Sequence, residues 1–166
     1  MKYTVTIVFI MLIACSDQGT PSISVDGVKP SLSLDQEKAW RTMTGTWYGS
    51  QPKKGGGQHD WIVVRDNTGA YQITFRSYDK NGDYEDSIEV GEWGISGPIY
   101  FSIFKARVKD GEFISVDPTN PYNRDTYKII SLSETEFIYE SFTSDNRFTL
   151  KRVEDDFTFT QINDLN

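Results

Sequence analysis

From Trp61 to Val153 the chain repeats one device: a short run of β-branched and aromatic residues, then a turn signal. The runs are WIVVRD (61–66), YQITFRSY (71–78), YEDSIEVGEW (84–93), IYFSIFKARV (99–108), TYKIISL (126–132), EFIYESFT (136–143) and NRFTLKRV (146–153), preceded by GTWYG (45–49). Asn67-Thr68-Gly69, Asn81-Gly82, Gly97-Pro98, Lys109-Asp110-Gly111, Ser133-Glu134-Thr135 and Ser144-Asp145 separate them; these are residues that favour turns. No segment of helical period interrupts the series, which excludes βαβ units. About eight strands joined by short hairpins have two edges to protect, and closing the sheet protects both. The expected fold is therefore all-β: an antiparallel, eight-stranded up-and-down barrel over residues 35–154. An open β-sandwich is the alternative that the same strands allow.

Period-two alternation assigns the faces. Phe148, Leu150 and Arg152 share one face of the last strand, against Arg147, Thr149 and Lys151. Tyr127 with Ile129, and Phe137 with Tyr139, behave alike. In 99–108 both faces look apolar. The inward set is Trp61, Val63, Tyr71, Ile73, Phe75, Phe137, Tyr139, Phe148 and Leu150. Trp61, Tyr71, Phe75, Tyr139 and Phe148 are the candidate ligand contacts. The same residues would equally make a packed core, because a small barrel can be filled by its own side chains.

Asp35 to Met43 suits a short helix, with Ser33 or Asp35 as N-cap, ending near Thr44-Gly45. Gly45-Thr46-Trp47 follows at once and resembles the G-x-W motif that opens the lipocalin barrel. In that family the tryptophan plugs the closed end, and a basic residue at the end of the last strand lies across its ring. The matching residue here is Arg152, with Lys151 as second choice. The resemblance implies a lipocalin-like barrel with a cup opposite the Trp47 plug, open to a small apolar or amphipathic molecule. The disulfide common in lipocalins is impossible with one cysteine. Gly91-Glu92-Trp93 repeats the G-x-W spacing within a strand.

Lys2 and an uncharged, mainly apolar run over residues 3–14 read as a secretory signal; the run is too short to span a bilayer, which needs about 20 residues. Leu12-Ile13-Ala14-Cys15 resembles the lipobox of bacterial lipoproteins. That resemblance implies cleavage before Cys15, acylation of its sulfur and of the new amino group, and anchoring to the cell envelope. Ser16, rather than an aspartate, after the cysteine favours the outer membrane if the source is Gram-negative. Residues 15–34 read as the lipidated N-terminus and a flexible tether, and residues 155–166 as a tail.

The formal net charge is −7, which repels phosphate backbones and argues against nucleic acid. One cysteine and one histidine exclude Cys-ligated and multi-histidine metal sites. No metal or cofactor is expected. Asp79-Lys80-Asn81-Gly82-Asp83 imitates half of an EF-hand loop, but Tyr84 and Val90 stand where the sharp-turn glycine and the bidentate glutamate belong; an Asn-Gly hairpin turn is the simpler account. Lys53 to Asp60 is a glycine-rich loop at the mouth without the phosphate-loop order. His59 reads as a surface residue, and its neighbour Asp60 should point to the opposite face. Asp117-Pro118-Thr119-Asn120-Pro121-Tyr122 is a rigid connector or a lid. Glu85 and Glu89 share one face of their strand and Asp86 and Glu92 the other, most simply as a solvated face.

No nucleophile–base–orienter set emerges, so an enzyme is not expected. A lipid-anchored barrel that binds a small apolar molecule is the first reading. An envelope lipoprotein with a filled barrel and a protein partner is the second. Cys15→Ser should leave the precursor unacylated and move the chain out of the detergent phase in Triton X-114 partitioning; normal processing and partitioning would contradict the lipoprotein reading.

Overall fold

Residues 34–160 are described in the computed structural model; Cys15, the tether up to residue 33 with the N-cap candidate Ser33, and residues 161–166 lie outside them, while Leu34, expected in the tether, and Asp35, the other N-cap candidate, lie within the first helix. A helix, α1 (Leu34–Met43), precedes β1 (Gly45–Pro52), β2 (Gln58–Arg65), β3 (Ala70–Tyr78), β4 (Tyr84–Ser96), β5 (Ile99–Lys109), β6 (Glu112–Ser115), β7 (Arg124–Leu132), β8 (Glu136–Ser141) and β9 (Arg147–Arg152). All pairings are antiparallel. The order runs β4-β3-β2-β1-β9-β8-β7-β5, and β5 returns to β4. Eight strands thus form a closed up-and-down barrel. Two seams rule out the open sandwich: β1–β9, from Trp47↔Arg152 to Gly49↔Leu150, and β4–β5, from Ile88↔Val108 to Ser96↔Ile99.

β6 is the strand the sequence pattern leaves out. Asp110 (φ 53°) and Gly111 (φ 82°) both have positive φ, the geometry of the tightest hairpins, and fold Glu112–Ser115 back onto β5. β6 and β7 occupy the same edge of β5, end to end. Residues 117–123 make an excursion between them, closed by a 3₁₀ turn at Pro121–Asn123. The connector 117–122 is pinned by its own side chains: Asp117 Oδ1 accepts from Thr119 N (2.9 Å), and Asn123 Nδ2 donates to the Asp117 carbonyl (2.7 Å). Opposite Val90 and Gly91, Lys105 is an extra residue that forms a bulge in β5.

The helix seals one end. Asp35 and Glu37 lie in its first turn and Arg41 in its last, matching the helix dipole. Ten residues are marginal alone, and the helix is held by what it covers. The Trp40 ring stacks on Trp93 at 4.2 Å, and Met43 is fully buried. Trp47, also fully buried, donates from Nε1 to the Met43 carbonyl (3.0 Å). Arg152 lies over Trp47 with Cζ 4.3 Å from the ring centroid. Its guanidinium donates to the carbonyls of Glu134 (2.7 Å), Thr44 (2.9 Å) and Thr42. Gly45 sits beside it at φ +111°, where a Cβ would come 2.5 Å from Arg152 Nη1; helix and barrel can meet this closely only at a glycine. The segment after β9 returns over the outer wall. Val153 N donates to the Thr46 carbonyl (3.0 Å), Phe157 packs on Tyr48 (5.6 Å), and Arg76 covers Phe159 (4.6 Å).

Arg152→Ala removes one cation–π contact and leaves three carbonyls without their donor. At about 1 kcal/mol for each bond lost, it should destabilise by about 3 kcal/mol in urea unfolding, whereas exposed Lys151→Ala should stay within about 0.5 kcal/mol. Equal losses would mean that Arg152 does not hold the closed end.

Candidate functional site

Above the sealed end, the barrel encloses a cavity of about 220 Å³. Of the residues that alternation turns inward, Trp61, Val63, Ile73, Phe75, Tyr139 and Phe148 line it. Phe137 and Leu150 are fully buried in the core and do not reach it. Tyr71, expected as a ligand contact, is a correction. It is 6% exposed and lies outside the cavity lining. Its partner across the sheet is Gly91, and a Cβ there would meet the Tyr71 hydroxyl at 2.7 Å. The missing side chain lets the phenol ring lie down against β4 instead of standing into the cup.

Gln51, His59, Arg65, Tyr100, Ser102 and Tyr127 complete the lining, and none was singled out as a contact. His59 is a second correction. It is not a surface residue but half-buried at the rim, with its ring 5.2 Å from Phe75 and 6.1 Å from Trp61. The signal was present: 59, 61, 63 and 65 share a parity, so once Trp61 and Val63 face inward, His59 and Arg65 must too. Tyr100 was hidden by the apolar appearance of both faces of β5.

The polar groups divide sharply. Tyr100, Tyr127 and Tyr139 form a cluster with ring centroids 5.0 to 5.4 Å apart. Burial pushes the Tyr127 and Tyr139 hydroxyls well above the ordinary phenol range, so they remain neutral donors at physiological pH. Arg65 is 2% exposed. Its Nη2 donates to the Tyr100 hydroxyl (3.1 Å), and its Cζ lies 5.0 Å from the Tyr100 centroid and 5.6 Å from that of Phe137. Nε and Nη1 are buried and have no partner within the protein. A guanidinium cannot shed its proton, so this is a permanent cation in an aromatic cup.

The acidic strand is largely solvated, as expected, and three of its four carboxylates are also paired. Asp86 receives both Nε and Nη2 of Arg76 (2.8 and 2.7 Å), Glu89 faces Arg107 (3.4 Å), and Glu92 faces Lys105 (3.3 Å). The half EF-hand loop is a turn that uses up its own carboxylate: Asp79 Oδ1 accepts from Asn81 N (2.8 Å) and Asp83 N (3.0 Å). His59 faces the cup, while Asp60 is buried on the other face and accepts from Gln58 Nε2 (2.7 Å), so the two make no catalytic pair.

No protein-family model matches the sequence, and no curated protein matches it. Among solved structures the chain is similar to a lipocalin-like protein from Bacteroides uniformis, at 14% identity over 68% of this chain and 99% of that one, with a TM-score of 0.42. It is also similar to an uncharacterized protein from Bacteroides eggerthii, at 12% identity over 66% of this chain and 98% of that one, with a TM-score of 0.40.

His59 is the chain's one histidine and thus a clean reporter of the rim. Burial, and then the Lys53 ammonium, lower its pKa from the usual 6.5, against a smaller opposing pull from Asp60. The fold therefore disfavours the imidazolium. The unfolded chain takes up that proton at a higher pH, so stability rises with pH from the folded pKa up to about 6.5. An NMR titration of the imidazole Cε1 proton should show a midpoint below 6.5; a midpoint at or above it would place His59 in open solvent.

Proposed function

We propose that this chain is a binding protein that holds a small molecule with an apolar body in the barrel cup. The observation that carries this reading is the cavity of about 220 Å³, walled by aromatic rings and furnished with a few convergent polar groups, the ordinary composition of a ligand site. The size sets a scale. An apolar void of about 150 Å³ holds one benzene ring, so the cup suits a compact ligand, and a haem-sized one would have to lie largely outside it. In this reading the protein binds and does not catalyse, uses no metal or cofactor, and takes no nucleic acid. It is a lipoprotein, tethered through lipid on Cys15 to the cell envelope, at the outer membrane facing the periplasm in a Gram-negative host. The support for the tether is the charged, apolar and Leu-Ile-Ala-Cys order of residues 2–15.

Trp61 is the one tryptophan of the cavity lining, whereas Trp40, Trp47 and Trp93 belong to the closed end. Titration of the full chain with small aromatic and aliphatic probes should quench fluorescence saturably. Trp61→Phe should remove most of the quenching, and Tyr139→Ala should weaken binding about tenfold, the loss expected when a well-packed ring contact of about 1.4 kcal/mol goes. Absence of binding by every probe would favour the second reading, an envelope lipoprotein that works through a protein partner.

A further inference from the structure

We propose that the molecule held in the cup carries a carboxylate, and that Arg65 is its counter-ion; this rests on the binding reading above. Arg65 is 2% exposed, and a cation so deep in a protein is ordinarily paired, because desolvation is costly unless an anion or hydrogen bonds offset it. Here only part of that requirement is met from within. One contact goes to the Tyr100 hydroxyl, and the rings of Tyr100 and Phe137 stand within cation–π distance. Nε and Nη1 have no acceptor. Among the described residues, no carboxylate makes an ion pair with Arg65: Glu89 pairs with Arg107 and Glu92 with Lys105, and Asp125 on β7, opposite Ser102, forms no ion pair with it.

The chemistry of the open donors selects the partner. Guanidinium donors match acceptor-only groups, and a carboxylate, with two oxygens and about four lone-pair sites, can take more than one of them. The cup supplies the rest of the recognition. The phenol of Tyr100, already an acceptor for Arg65, has its own proton to give, and Trp61, Phe75 and Phe148 offer apolar walls. The volume leaves room for one ring or a short alkyl chain beside the acid group. The class is thus a compact aryl or short-chain carboxylate.

The test pairs each acid with its neutral amide of nearly the same shape: benzoate with benzamide, and hexanoate with hexanamide. Each is titrated into the full chain by calorimetry and by Trp61 fluorescence. The acid of at least one pair should bind ten times more tightly than its amide. Arg65→Met, which keeps the length and removes the charge, should bring acid and amide within twofold of each other. Because it removes an unpaired buried cation, Arg65→Met should melt no lower than the unaltered protein. Arg65→Lys should retain a weaker preference for the acid. If amide and acid bind the unaltered protein equally, solvent satisfies Arg65, the carboxylate proposal fails, and the binding reading stands. Binding of neither would overturn the binding reading itself. A preference for the acid that survives in Arg65→Met would also overturn the proposal. The acid–amide comparison on the unaltered chain decides the matter even if the variants do not fold.

Discussion

The guanidinium of Arg152 gathers carbonyls from the end of α1, from the residue before β1 and from the β7–β8 turn, and lies over the Trp47 ring. Those groups come from the first and last parts of the barrel. The contact therefore acts where the sheet must join itself, alongside the Trp47↔Arg152 register of β1 with β9. With that end sealed, Met43, Trp47, Phe137 and Leu150 form a dry floor. Phe148, Leu150 and Arg152 are alternate residues of β9, so the same alternation that points Arg152 at the plug points Phe148 and Leu150 inward.

Floor and cup handle positive charge in opposite ways. Arg152 spends its donors on backbone carbonyls and remains half-exposed. Arg65, two residues beyond Val63 on β2, is enclosed and leaves donors open. A chain selected for stability alone would put an apolar side chain at 65, since replacing a buried, poorly paired ion by a hydrophobe is often neutral or stabilising. Retaining the cation there is a local departure from good packing, and departures of this kind concentrate where a protein does its work.

Much of the architecture was legible. The spacing of turn residues located eight strands, and Gly45-Thr46-Trp47 after a capped acidic segment located the helix-to-barrel junction. What escaped detection had specific physical causes. β6 is four exposed residues, Glu112–Ser115, too short to show alternation. Tyr71 has the right parity, yet its environment depends on a glycine twenty positions away, which a one-strand pattern does not contain. Arg65 and His59 had the right parity too. Hydrophobicity does not mark either of them as inward, and a site built on a buried charge is the case in which hydrophobicity fails and position alone decides. The pairing of Glu89 with Arg107 and of Glu92 with Lys105 depends on a bulge at Lys105 that only the β4–β5 register reveals.

The end-to-end placement of β6 and β7 on β5 divides the wall into parts with different freedom to change. Register around a closed barrel is shared by all its strands, so a residue added within β7 would disturb the pairing on both sides. Val116 still bonds to β5 through the Lys105 carbonyl (2.9 Å); residues 117–123 then leave the wall and return to it, and their number enters none of those registers. Loop length there costs little, growing only with the logarithm of the number of residues. The excursion is thus the natural place for insertions and deletions among descendants of this chain, and for an engineer to graft a new peptide. The barrel would keep its shear and its cup while its flank acquired a different outline.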